Sequence, residues 1–226
     1  MLVHIPQVLN AAQLQMFHAE LNSVEWSDGR GSAGYIAQQV KHNLQLPDEH
    51  PVARKLGEII LRSLGNNALF TAAALPLKLV PPLFNCYGLE QTYGRHVDGA
   101  IRPITGTPHR VRTDVSATLF LNEPDTYEGG ELVIEDTFGP RAVKLAAGDM
   151  VLYPGTSVHS VTPVTKGVRL AAFFWIQSMV REDQKRVLLF ELDRAIQKVA
   201  TDDPDQTALT DLAGVYHNLL RLWADS

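Results

Sequence analysis

One cysteine, Cys86, stands in 226 residues, so no intrachain disulfide can form and the fold must be held by its core. A lone thiol of this kind is expected in the reducing cytoplasm. Positive charge is scarce too. Twenty Lys and Arg face 25 Asp and Glu, for a net charge of −5, the reverse of the basic footprint that phosphate backbones select. Nucleic acid is therefore excluded as a bulk electrostatic partner. No apolar run approaches the roughly 18 residues that a membrane span needs; the nearest, 170–176, has the length of a strand. The opening Met-Leu-Val-His-Ile-Pro carries neither a basic leader nor a long apolar stretch, so neither export nor membrane insertion is expected. Internal repeats and low-complexity segments are missing as well. What is present is 45% hydrophobic residues, enough at this length for one well-buried core with helical additions.

The first third of the chain has helical periodicity. Asn10 and Gln13 match a capping box, and Leu14, Phe17, Leu21 and Val24 follow at helical spacing, which predicts a helix over 11–24. Three glycines make 27–34 a loop ahead of a polar, strand-like stretch at 35–40. Pro51 suits a first helical turn, and Val52, Leu56, Ile59, Ile60 and Leu64 continue one apolar face up to Gly65. Asn67 caps a short helical segment that runs through Ala74 and is stopped by Pro76.

From Leu77 the pattern becomes short β-rich runs broken by Gly, Pro, Asn and Asp. Eight strands are predicted, at 78–87, 94–98, 116–121, 131–135, 141–145, 149–153, 158–164 and 169–178. Gly129-Gly130 and Gly148-Asp149 mark tight turns. Helical spacing returns after Ser178. A charged helix over 181–199 has a seam of Leu188, Leu192, Ala195 and Val199, and Pro204 separates it from a last helix carrying Leu209, Leu212, Tyr216, Leu219 and Trp223 on one face. That face is expected to cover either the barrel or a second subunit. The fold class is α+β with a mainly β core, a double-stranded β-helix (jelly roll) flanked by helices. Three segments are expected: 1–77 helical and packed on the core, 78–178 the jelly roll, and 179–226 a C-terminal helical extension.

His96 and Asp98 are two residues apart, and on an extended segment both side chains leave the same face. His159 lies 61 residues after Asp98 and Arg169 ten after His159, at the head of an apolar strand. Two histidines and one carboxylate are the facial triad that leaves positions open on non-haem Fe(II). Each residue also has a plainer reading. A His-x-Asp string occurs by chance, a lone histidine is usually structural, Arg169 can be a surface ion pair, and Tyr87 and Tyr93 can be ordinary strand aromatics. Cys86 reads as core rather than reactive. The stretch 101–112 holds three arginines, two prolines and no acid. It reads either as a solvated connector or as a cover over the mouth of the site that meets an acidic or carboxylate-bearing substrate.

His96-x-Asp98, His159 and Arg169, set among Tyr87, Tyr93, Gly129-Gly130-Glu131-Leu132 and Gly148-Asp149, resemble the Fe(II)- and 2-oxoglutarate-dependent dioxygenases of the prolyl 4-hydroxylase type. The short chain with helices on both sides is similar to the bacterial PKHD-type hydroxylases, the PiuC-like family tied to iron uptake. The resemblance covers nearly the whole chain. It implies that His96, Asp98 and His159 hold Fe(2+) and that Arg169, with Tyr87, receives the far carboxylate of 2-oxoglutarate. L-ascorbate is implied as the reductant that rescues oxidised iron. A small-molecule or peptidyl substrate would be hydroxylated with release of succinate and CO2. The family also suggests a homodimer through the C-terminal helices. Two rivals share the histidines: a non-catalytic cupin-like sensor of metal or small acids, and a zinc hydrolase, for which Glu131 would be the candidate base.

Overall fold

The strand Arg169–Ser178 has ten residues, nearly all buried or half-buried, and the rest of the fold is built on its two faces. Leu170, Ala172, Phe174 and Ile176 turn to one side and join the main core, while Arg169, Phe173 and Trp175 turn to the other, as strand alternation requires. In this computed structural model residues 1–202 and 206–225 are described, and every count below refers to them. Arg169–Ser178 pairs antiparallel with Val115–Phe120 and Leu83–Tyr87 in an eight-stranded sheet. A five-stranded sheet runs Gly139–Val143, Leu132–Asp136, His159–Val161, Thr92–His96 and Lys41–His42. The two sheets supply opposite walls of one cleft, which is the jelly-roll arrangement the strand pattern predicts.

Three helices cover the outer face of the larger sheet. Helix α1 (Ala11–Leu21) begins with the predicted capping box, Asn10 and Gln13 each satisfying the other's backbone. It stops three residues short of the predicted end. Helix α2 (Pro51–Gly65) has its proline in the first turn, where no N–H is needed. Helix α3 (Ala68–Ala74) is capped by Asn67 and ends at Leu75, whose φ of 43° is left-handed. Phe17, Leu21, Leu56, Ile60, Leu64 and Phe70 pack from these helices onto Phe84, Leu119 and Phe174 of the sheet.

Several predicted elements differ, each for a local reason. The run 78–87 is two strands, Pro76–Leu79 and Leu83–Tyr87, because Pro81 and Pro82 have no N–H for a ladder. Pro163 likewise splits 158–164 into His159–Val161 and Val164–Lys166. The stretch 35–40 is no strand: Tyr35 and Ile36 stand 82% and 78% exposed without a sheet partner, and Ala37–Val40 winds as a 3-10 turn. The basic loop 101–112 is a hairpin of Ile101–Pro103 with Arg110–Arg112. Short strands such as Val3–Ile5 and Leu44–Leu46 pair at the sheet edges, and at three residues they leave no periodicity to read.

Helix α4 (Asp183–Asp202) is rotated from its predicted seam. Leu189 and Phe190 are buried while Leu188 is 55% exposed. The cause is Arg186, which turns inward at 2% exposure and donates to the carbonyls of Val180 and Arg181 and to the Asp183 carboxylate. Helix α5 (Gln206–Trp223) lays Tyr216, Leu219, Leu220 and Trp223 against Leu75, Val180 and Leu189, so the chain itself covers the predicted face. The predicted break at Pro204 lies outside the described residues. Among the described residues no helix is long and apolar enough to cross a membrane.

Candidate metal centre and its cleft

His96 closes the strand Thr92–His96, and its cross-strand partner is His159, the first residue of His159–Val161. The two rings lie 4.2 Å apart between centroids. Asp98 follows two residues beyond the strand end, so the predicted strand 94–98 stops at His96 and alternation does not aim Asp98. The chain instead turns out of the sheet, and the Asp98 carboxylate comes within 3.8 Å of His159 Nε2. Ser116 holds it there by donating from Oγ to Oδ2 at 2.7 Å. One ligand atom from each of His96, Asp98 and His159 lies within 4.8 Å of the others, and no other His, Cys, Asp and Glu group among the described residues is so placed.

The proton positions suit a cation. His96 Nδ1 lies 2.8 Å from the Gly94 carbonyl and His159 Nδ1 lies 3.0 Å from the Ser157 carbonyl. A carbonyl only accepts, so each Nδ1 carries the proton and each Nε2 keeps a free lone pair. Burial, then the neighbouring His159, pushes His96 down to about 4, which keeps its imidazole neutral at physiological pH. Tyr93 stacks on His96 at 3.6 Å and Tyr153 meets His159 edge-on at 5.1 Å, so both rings are clamped.

At the head of the long strand Arg169 is 1% exposed, and its Nε and Nη1 have no hydrogen-bond partner. The surface ion-pair reading of this residue is therefore wrong. Its guanidinium lies 5.2 Å from the Tyr87 ring and 5.4 Å from the Phe120 ring, and Tyr87 is its cross-strand partner. Burial holds the Tyr87 phenol up at about 12, so the hydroxyl stays protonated. A buried guanidinium with unsatisfied N–H groups is costly until an anion meets it. Arg169, Tyr87 and the three metal-type donors all line a cleft of about 700 Å³, its open mouth included. The cleft thus offers two neutral imidazoles and a carboxylate for a divalent cation, and a buried cation for a small acid. That donor set fits Fe(II) and a dicarboxylate such as 2-oxoglutarate.

The five residues given a role from the sequence, His96, Asp98, His159, Arg169 and Tyr87, meet in this cleft, joined by Tyr93 and by Arg102 of the basic stretch 101–112. Ser116, Asn85, Tyr153 and Lys41, which also line it, were not singled out. Asn85 precedes Tyr87 by two residues and shares its face, and Ser116 alternates inward on Val115–Phe120, so strand period alone points at both. Glu131 accepts a hydrogen bond from the Thr162 hydroxyl and does not line the cleft. A zinc hydrolase using it as base has no support.

Residues 82–177 match the model of the 2OG-Fe(II) oxygenase superfamily, and 183–225 match the PKHD-type hydroxylase C-terminal domain. A PKHD-type hydroxylase of Saccharophagus degradans is 58% identical over 226 residues, covering all of both chains. The PKHD-type hydroxylase PiuC of Pseudomonas aeruginosa is 54% identical over 225 residues with the same coverage. Among solved structures, a prolyl-4-hydroxylase of Pseudomonas putida superposes with a TM-score of 0.53 at 20% identity, over 78% of this chain and 92% of the other. HygX of Streptomyces hygroscopicus, with nickel, 2-oxoglutarate and hygromycin B bound, gives 0.54 at 16% identity, over 80% and 84%. At such identities the structural likeness speaks to the fold. The sequence relatives speak to more, and they do not favour the cupin-like sensor: with full-length identity above half, this chain belongs to the PKHD-type hydroxylases, 2OG-Fe(II) oxygenases and hence oxidoreductases.

Proposed function

We propose that His96, Asp98 and His159 hold Fe(II), and that Arg169, flanked by Tyr87, receives the far carboxylate of 2-oxoglutarate. The enzyme then hydroxylates an organic substrate and releases succinate and CO2. The observation that carries this reading is the pairing, in one cleft, of a His-Asp-His donor cluster with a buried guanidinium that has two unsatisfied N–H groups. Bound iron would supply the oxidative chemistry that couples decarboxylation of the oxo acid to oxygen insertion. The chain's own residues do the rest. The backbone carbonyls of Gly94 and Ser157 fix the histidine tautomers, Ser116 aims the carboxylate, and Arg169 neutralises an entering acid where water is excluded.

L-ascorbate enters this reading as the reductant that returns oxidised iron to the ferrous state, and a small-molecule or peptidyl compound as the substrate. The tie to iron uptake is what the resemblance to the PiuC-like family implies. Cys86, unpaired and half-buried, supports placement in the cytoplasm. A homodimer through the C-terminal helices is supported by the apolar side chains they leave exposed, Leu188, Val215 and Leu222.

Anaerobic titration with Fe(II) and then 2-oxoglutarate tests the central claim. A visible charge-transfer band is expected only when both are present, and it should vanish in His159→Ala. A band that survives loss of His159 would show that the metal sits elsewhere.

A further inference from the structure

The cleft holds more positive charge than a metal and a 2-oxo acid use. On the reading above, on which this inference rests, the metal and Arg169 are balanced by Asp98 and the two carboxylates of 2-oxoglutarate. Lys41 and Arg102 line the same cleft and are left over. Lys41 is 2% exposed, and its ammonium donates to two neutral oxygens, Ser32 Oγ at 2.7 Å and Gln45 Oε1 at 3.0 Å. Arg102 donates to the Ser32 carbonyl at 3.0 Å and lies 4.4 Å over the Trp175 ring. Neither makes an ion pair among the described residues. A buried ammonium with no carboxylate in ion-pair contact is costly, and a structure keeps one where a ligand supplies the anion. Burial, then the nearby Arg102, pushes Lys41 down to about 8, a strain that an anion between the two cations would relieve.

This pair stands further along the long strand than the grip on the 2-oxo acid. Lys41 Nζ sits 5.6 Å from the Phe173 ring and Arg102 lies 4.4 Å over the Trp175 ring, and Phe173 and Trp175 are four and six residues along the strand from Arg169. At a rise of ~3.3 Å per residue their Cα atoms lie about 13 and 20 Å from that of Arg169. Lys41 is joined to the metal donors through Tyr93: its Nζ is 5.2 Å from that ring, which stacks on His96. Arg102, with Ser32, Ala33 and Gly34, also borders an adjoining groove, so a longer ligand has a way out past it. Of the other two arginines of the hairpin, Arg112 is tied to Asp114 at 2.7 Å and Arg110 does not line the cleft.

We propose that Lys41 and Arg102 form the substrate's own carboxylate subsite, and that Phe173 and Trp175 take the apolar body beside it. The hydroxylated compound is then an organic acid with an apolar portion next to its carboxylate.

The test uses the full chain, loaded without oxygen with Mn(II) and saturating 2-oxoglutarate, and two probes of matched shape, phenylacetate and neutral phenylacetamide. Binding is read by calorimetry and by tryptophan fluorescence. The acid is expected to bind at least tenfold more tightly than the amide, and less so as salt is raised. Lys41→Met and Arg102→Gln should each remove most of that preference, while Lys41→Arg and Arg102→Lys, which keep the charge, retain part of it and report that the fold is intact. Equal binding of acid and amide to the wild type, or a preference that survives in the double neutral variant, overturns the subsite. Binding of 2-oxoglutarate, measured in the same variants, separates the two claims. If it depends on Arg169 and not on Lys41 or Arg102, an equal-binding result sinks the subsite alone; if it depends on the pair and not on Arg169, the co-substrate lies there and both readings fall.

Discussion

A guanidinium 1% exposed, with Nε and Nη1 unsatisfied, is the sharpest polar imbalance in the cleft. Truncating Arg169→Ala should raise the KM for 2-oxoglutarate by the equivalent of about 2–5 kcal/mol, while iron affinity stays near wild type. Arg169→Lys should lose less, since it keeps the charge without the planar fork. Succinate formation against 2-oxoglutarate concentration at saturating iron decides it, and a wild-type KM in the alanine variant would remove Arg169 from the site. Asp98→Ala should abolish tight Fe(II) binding and leave the melting curve almost unchanged, because Asp98 meets Ser116 and His159 rather than the core. Lys41 makes a separate prediction. Burial lowers it from 10.5 to about 8, with Arg102 adding to the shift and Asp98 and Asp28 opposing it. Below pH 8 the ammonium is charged in folded and unfolded chains alike, and its desolvation cost is carried in full. Between about 8 and 10.5 the unfolded chain binds a proton that the folded chain has released, so stability rises with pH. The melting temperature of the wild type, relative to Lys41→Met, should climb across that window, and a flat difference would contradict it. At this scale the ligand-type residues were legible as a set, because His96-x-Asp98, His159 and Arg169 ten residues on form a spaced pattern although each alone has a bland use. Lys41 was not, since a lysine beside His42 and Asn43 reads as surface and only the fold buries it.

The turn between Glu128–Gly129 and Leu132–Asp136 sets the space around Arg169. Gly129 and Gly130 have φ of 69° and 66°, which costs any other residue about 1–2 kcal/mol. A Cβ on Gly130 would meet Arg169 Cδ at 3.0 Å and Tyr127 at 3.1 Å, and one on Gly129 would meet the Pro163 carbonyl oxygen at 2.0 Å. Gly130→Ala is therefore expected to raise the KM for 2-oxoglutarate several-fold with iron binding retained. Gly129→Ala, which meets backbone, should instead show its effect in chemical denaturation, at a cost of more than about 2 kcal/mol. If Gly130→Ala leaves the KM untouched, the turn does not position the arginine. Elements with a long period were read well from sequence: α1 to α3 by capping and spacing, and Arg169–Ser178 to the residue. Those that failed lacked a period or hid a competing term. Val3–Ile5 is too short, prolines cut two strands, and Arg186, charged yet 2% exposed, rotates α4 by about one residue from its apolar seam.

Across the whole molecule the C-terminal helices brace the end of the long strand opposite Arg169. Val180 lies two residues past that strand and packs with Tyr216, Leu219 and Trp223 of α5. Arg112 of the basic hairpin pairs with Asp114 and reaches Asp225 at 3.5 Å, just beyond α5, so the element that carries Arg102 is tied to the same end. The amino terminus joins as well, its ammonium meeting Asp183 at 3.2 Å. A chain ending at residue 202 should therefore be less stable by on the order of 3 kcal/mol, since Leu75, Val180 and Leu189 lose their apolar cover. It should also bind the acid probe less well than 2-oxoglutarate, because the hairpin loosens before the sheet that holds Arg169 does. The apolar side chains exposed on these helices give the truncation a second readout. If they join two subunits, sedimentation will show half the mass per particle in the shortened chain, whereas an unchanged mass with a lowered melting temperature assigns the helices to bracing alone. A truncated protein with the mass, melting temperature and probe affinity of the wild type would deny them both roles.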